Sequence, residues 1–122
     1  MLKLLWYPPC ISCRNAKNWL DNNGLQYELR HIKQDPPTAE ELSAWQAKGK
    51  LPLTKFFNTN GTVYKSMGLK DKLPSMSDEE MLHLLASDGM IVKRPLLVGD
   101  DFVLTGFKEA EWREKLAKTE QQ

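Results

Sequence analysis

The chain has 122 residues, 41% of them hydrophobic and 27% charged. That composition excludes disordered, collagen-like and coiled-coil chains, and the length predicts one domain with a core of its own over residues 1–122. Seventeen basic residues against sixteen acidic ones leave a net charge of +1, which removes any bulk electrostatic case for nucleic acid or a membrane surface.

Residues 2–6 read as a short buried strand, which Pro8 and Pro9 stop. From Ile11 to Asn23, Cys13, Ala16, Trp19 and Leu20 recur at helical spacing, and Asn23-Gly24 offers a left-handed end. Gln26–Ile32 alternates as a second strand. Thr38 and Glu41 form a capping box for a second helix running to about Lys48, with Gly49 after it. Residues 50–75 are less regular, with a turn cluster at Asn58–Gly61 and a short helix near Val63–Met67. Ser77 and Glu80 cap a further helix with Met81, Leu82, Leu84 and Leu85 on its apolar face, ended by Gly89. Pro95–Val98 and Phe102–Leu104 read as a hairpin about Gly99-Asp100-Asp101, followed by a helix over Lys108–Lys118. The polar tail Thr119–Gln122 is expected to fray.

Two strands joined by a helix run parallel with a right-handed crossover, and the last two strands are antiparallel. The order therefore predicts an α/β fold of the thioredoxin-like plan, with a mixed four-stranded sheet. Its halves fall at about 1–35 and 90–118, with a helical insertion at about 36–89. No apolar run reaches the roughly 18 residues of a membrane span. Met1–Tyr7 is too short for a signal peptide and lacks a small-residue cleavage site, so a cytoplasmic location is expected.

The only cysteines, Cys10 and Cys13, are spaced C-x-x-C. A structural zinc site needs four ligands, and His31 and His83 do not form a second short-spaced pair, so no metal is expected. Two buried free thiols are the bland reading. The pair instead falls at a strand-to-helix junction, where unpaired N–H groups and the helix dipole stabilise a thiolate. Cys10 is thus the expected attacking thiol, and Cys13, one turn later, the resolving one. Arg14 adds positive charge beside the sulfur, or is a solvated helix cation. In the thioredoxin-like plan the Lys93-Arg94-Pro95 loop faces the cysteines, with a bond before Pro95 that is commonly cis. The bland alternative is an exposed basic loop. His31 and His83 read as packing or surface residues, and the four tryptophans as core anchors. Lys108, Glu109, Glu111, Arg113 and Glu114 read as a solvated helix face.

Tyr7-Pro-Pro-Cys10-Ile-Ser-Cys13-Arg14-Asn-Ala16, Arg94-Pro95-Leu-Leu-Val and Gly106-Phe107-Lys-Glu-Ala-Glu-Trp resemble the ArsC/Spx family over nearly the whole chain. Phe56–Tyr64 matches its middle region loosely. The resemblance implies one of two functions. As in arsenate reductases, Cys10 would be the nucleophile, with Arg14 and Arg94 holding an oxyanion and Pro95 shaping the substrate edge. Glutathione, glutaredoxin or thioredoxin would be the reductant, and no cofactor would stay bound. Lys55 or Asn60 stands near the family's middle arginine, and Phe107 about where its later arginine falls, which argues against arsenate itself. The expected substrate is then a small-molecule or protein disulfide, or an oxidised or oxyanionic compound other than arsenate. As in Spx, the pair would instead be the redox switch of a transcriptional regulator binding the C-terminal domain of the RNA polymerase alpha subunit. Neither function calls for direct nucleic-acid or membrane contact.

Overall fold

The computed structural model describes residues 1–120. Its elements in chain order are β1 (Leu2–Trp6), α1 (Ile11–Asn22), β2 (Tyr27–His31), α2 (Ala39–Gly49), α3 (Thr62–Ser66), α4 (Leu69–Lys72), α5 (Asp78–Ser87), β3 (Leu96–Val98), β4 (Val103–Thr105) and α6 (Glu109–Glu120). Three-residue to four-residue 3-10 turns at Leu53–Phe56, Leu73–Ser75 and Gly89–Ile91 link the middle elements. The sheet is four-stranded, in the order β2-β1-β3-β4. β1 and β2 are parallel, while β1–β3 and β3–β4 are antiparallel, as the sequence predicts.

Alternation along the strands sends neighbouring side chains to opposite faces of the sheet. Leu4 and Leu97 pack with Ala16, Trp19 and Leu20 of α1 and with Trp112 of α6. Leu5 and Leu96 pack with Leu42 and Trp45 of α2, and with Phe56, Phe57 and Leu85 beyond them. Trp112 is fully buried, and its indole N–H donates to the Gly106 carbonyl at 3.1 Å. Trp19, Trp45 and Trp112 are core residues and Trp6 is half-buried, in line with the expected anchors.

Both predicted capping boxes are present, Thr38 with Glu41 and Ser77 with Glu80. Neither Gly49 nor Gly89 is the left-handed residue that ends a helix. Gly49 is the last residue of α2, and Lys50 after it takes the left-handed position at φ 53°. A Cβ on Gly49 would stand 3.0 Å from Val103 Cβ, so this glycine lets α2 lie close on β4. α5 ends at Ser87, and Gly89 opens a 3-10 turn capped by Asp88. α6 continues through Thr119 and Glu120, where fraying was expected; the rest of that tail, residues 121–122, lies outside the described residues. Among the described residues no helix is long and apolar enough to cross a membrane.

One ion pair fixes the chain between β2 and α2. Arg30 donates to both Glu41 oxygens, at 2.7 and 2.9 Å, and to the Asp35 and Pro36 carbonyls. These bonds, led by the Arg30 side chain, hold the Glu41 carboxyl down at about 2, well below its ordinary 4.5. A depressed carboxylate stabilises the fold above its unfolded value, and that stability is lost as pH falls through the folded value. Discounted for solvent screening, Glu41→Gln is expected to cost about 1–2 kcal/mol near neutrality. The deficit should shrink between about pH 4.5 and pH 2, as both chains come to carry a neutral group. Urea unfolding of both proteins across that range checks it, and a deficit independent of pH would overturn the ionic explanation.

Candidate active site

β1 delivers the chain to the cysteine pair. Its direction is held past Trp6 by the Ile32 N–H, which donates to the Trp6 carbonyl at 2.9 Å. The Tyr7-Pro8-Pro9 turn follows, closed by a 2.9 Å bond from the Cys10 N–H to the Tyr7 carbonyl. Cys10 is thereby the N-cap of α1, in extended conformation at φ −79° and ψ 121°. Its Sγ takes the place of the usual capping oxygen and accepts the Cys13 N–H at 3.4 Å. The sequence placed the pair correctly: one turn of helix brings Cys13 beside Cys10, and both thiols are free.

The two sulfurs sit in different surroundings. Cys10 is half-buried, and the neighbouring Ile11 is 68% exposed. Cys13 is fully buried. Burial, reinforced by the Cys10 side chain, pushes the Cys13 thiol up to about 12, while a backbone hydrogen bond from Tyr7 and the charge of Arg94 pull the other way.

The Arg94–Pro95 bond is cis, and Pro95 is buried ahead of β3, with its carbonyl accepting the Gly106 N–H at 2.8 Å. The Arg94 guanidinium lies 5.3 Å over the Tyr7 ring and donates from Nη1 to the Met90 carbonyl at 3.3 Å. Its Nε is buried and has no partner. Arg94 is thus a half-buried, positioned cation, not the exposed loop charge of the bland reading. Arg14 directly follows Cys13 in α1, but its side chain is exposed and unpaired. Proximity in sequence brings Arg14 near the sulfurs, and the fold brings Arg94.

One contributor was not foreseen. Tyr7 is the platform under Arg94, and the edge of His31 meets the Tyr7 ring at 5.8 Å between centroids. His31 Nδ1 accepts the backbone N–H groups of Lys33 and Gln34, so this histidine ties down a loop, as a packing residue does. An aromatic residue immediately before the Pro-Pro-Cys run was the signal for Tyr7. An open groove of about 530 Å³ is lined by Tyr7, Pro8 and Pro9, just before Cys10 in the chain, and by His31, Lys33 and Gln34. Another cleft of about 470 Å³, lined by Met1, Leu25, Asp100 and Phe102, lies at the far end of β1 from the sulfurs. Among the described residues no three His, Cys, Asp or Glu side chains are grouped to hold a metal ion.

Comparison with known proteins places this site in a family. The ArsC family model matches residues 5–115. The uncharacterized protein YusI of Bacillus subtilis is 48% identical over 116 residues, covering 95% of this chain and 98% of the relative. The regulatory protein MgsR of the same organism is 29% identical, over 86% and 82% of the two chains. A solved structure described as a possible arsenate reductase from Streptococcus mutans superposes with a TM-score of 0.86, at 44% identity over 96% and 98% of the two chains. The cysteine pair and the Arg94–Pro95 loop fall inside the matched span, and the chain belongs to the ArsC family.

Proposed function

We propose that the chain is a thiol–disulfide oxidoreductase in which Cys10 attacks and Cys13 resolves. The observation that carries this reading is the inequality of the two sulfurs, one half-buried at the helix N-cap and one fully buried and held protonated. Cys10, as the thiolate, attacks one sulfur of a disulfide R–S–S–R. A Cys10–S–S–R bond forms, and the first R–S⁻ leaves. Cys10 then carries no charge, so its contribution to raising the Cys13 thiol is removed, while the Tyr7 bond and the Arg94 charge still favour the anion. Cys13 gives up its proton to solvent or to the departed thiolate and attacks Cys10 Sγ. The Cys10–Cys13 disulfide closes, the second R–S⁻ leaves, and two electrons have passed to the substrate. Glutathione, glutaredoxin or thioredoxin would return them.

Arg94 offers the positive charge of its half-buried guanidinium to an acidic group of the substrate, Arg14 adds exposed positive charge, and Pro95 forms the edge on which the substrate rests. No bound cofactor enters this scheme. The test is to mix the reduced protein with glutathione disulfide and weigh the product. The expected protein product has lost two hydrogens and released two glutathiones. A protein that stays unmodified, or that stops as the glutathione adduct, overturns the resolving role.

Arg94→Ala should slow oxidation by glutathione disulfide about tenfold, from loss of a charge-assisted bond. Oxidation by the uncharged hydroxyethyl disulfide should change by less than about threefold. Equal slowing of both reactions would make Arg94 a structural residue only.

A second reading has one observation in its favour: MgsR, a regulatory protein, aligns over most of both chains. The same disulfide would then switch affinity for the C-terminal domain of the RNA polymerase alpha subunit. A redox-dependent difference of about tenfold or more in the affinity for that domain selects this reading, and equal affinities remove it.

A further inference from the structure

The segment between α2 and β3 holds a cavity of about 360 Å³, apart from the cysteine pair and lined by none of its residues. The volume falls in the range of small-molecule sites, roughly 300–1,000 Å³. Leu73, Pro74, Met76 and Met81 form an apolar wall. Thr54, Thr59, Tyr64 and Lys70 complete the lining. Tyr64 is more than nine-tenths buried, with 8% of its surface exposed, and its ring packs against Phe57 at 6.4 Å. Among the described residues its hydroxyl has no hydrogen-bond partner, and Tyr64 lines the cavity. Buried tyrosine hydroxyls are ordinarily paired. Lys70 is exposed and, among the described residues, makes no ion pair or hydrogen bond. No acidic residue lines the cavity to neutralise it.

We propose that this cavity is a binding site for a small amphipathic carboxylate, with its apolar body against Leu73, Met76 and Met81. Lys70 and the Tyr64 hydroxyl would hold the carboxylate. A carboxylate only accepts hydrogen bonds, Lys70 only donates them, and the three hydroxyls can each donate. Charge and donor count therefore match an anionic head better than an amide or alcohol. The two methionines are flexible and polarizable, which suits an aromatic or branched body of varied outline. This site is independent of the proposed redox chemistry.

The test is titration of the full reduced chain with 4-phenylbutyrate, followed by amide chemical shifts. Saturable shifts are expected at Thr54, Thr59, Tyr64, Lys70 and Met76. Lys70→Ala, at an exposed helix position, should weaken binding about tenfold. Tyr64→Phe, which keeps the packed ring, should weaken it about threefold to tenfold. The neutral 4-phenylbutyramide should bind at least about tenfold more weakly than the acid. Absence of saturation, shifts centred elsewhere, or equal binding of acid and amide would each overturn the proposal. So would tighter binding of a phosphate monoester with the same apolar body, because the head would then not be a carboxylate.

Discussion

Replacing Cys10 with serine is expected to abolish disulfide turnover, by a factor of about 10³ or more, whereas replacing Cys13 with serine arrests the reaction one step later. The two outcomes differ because the sulfurs differ. In Cys13→Ser, Cys10 keeps its place at the head of α1 and its access to solvent, so it still forms the mixed disulfide. No buried thiol is then present to displace it, and the adduct accumulates to one per chain. In Cys10→Ser, the remaining thiol is buried and pushed up, chiefly by burial. Two of the contributions that raise it leave with Cys10, but the largest, desolvation, stays. Its alkylation at pH 8 should therefore run at least about tenfold slower than in the unfolded chain. Mass spectrometry of the adducts and timed alkylation read both variants. A Cys13→Ser protein that forms no adduct, or a Cys10→Ser protein that turns over disulfide, would reverse the assignment of roles.

Gly89→Ala is expected to be the most damaging single methyl in the chain. A Cβ there would run into the Ile32 carbonyl oxygen and stand 2.7 Å from its carbon, with Lys33 Cα at 3.2 Å. All three are backbone atoms, so no side chain can swing aside. Relief requires the Gly89–Ile91 turn to move off the end of β2, or Ile32 to give up its bond to the Trp6 carbonyl. Either movement disturbs the frame around Tyr7 and Arg94. The expected loss is about 3–5 kcal/mol. Gly24→Ala is the control, because nothing lies within 4 Å of its added Cβ although φ is +67°. It should cost about 1 kcal/mol from backbone conformation alone. Urea midpoints for the two variants decide the matter, and equal losses would mean that the Gly89 approach relaxes freely.

Gly89 also shows where reading the sequence stopped working. A glycine after an amphipathic run is ordinarily a helix end, and Gly24 is one in effect, at φ +67° just past α1. Gly49 and Gly89 stand in the same local context, but their reasons are Val103 and Ile32, each more than fifty residues away. Local pattern cannot carry such information. The capping boxes were legible because the bonds of Thr38 and Ser77 close within three residues. The strands were legible because their apolar or alternating runs, bounded by Pro, Gly and Asp, are too short for a helix. Residues 50–75 were blurred because their 3-10 turns and short helices never run long enough to show a helical period. At the site, C-x-x-C after a strand announced both sulfurs, and Arg94 was found through the proline that follows it. The Tyr7 ring beneath that arginine, the Met90 carbonyl beside it and the Arg30–Glu41 clamp are meetings of distant segments, which only the folded chain displays.

The segment carrying the carboxylate cavity is stitched to the loop that carries Arg94. Phe57 bridges Val92, the Asn58 N–H donates to the Ile91 carbonyl, and the Lys93 N–H donates to the Phe56 carbonyl, both at 2.7 Å. Neither strand of this stitch can be pulled away without breaking main-chain bonds on the other. In hydrogen exchange the amides of Asn58 and Lys93 should therefore behave as one opening unit, with matched protection that falls together as denaturant is added.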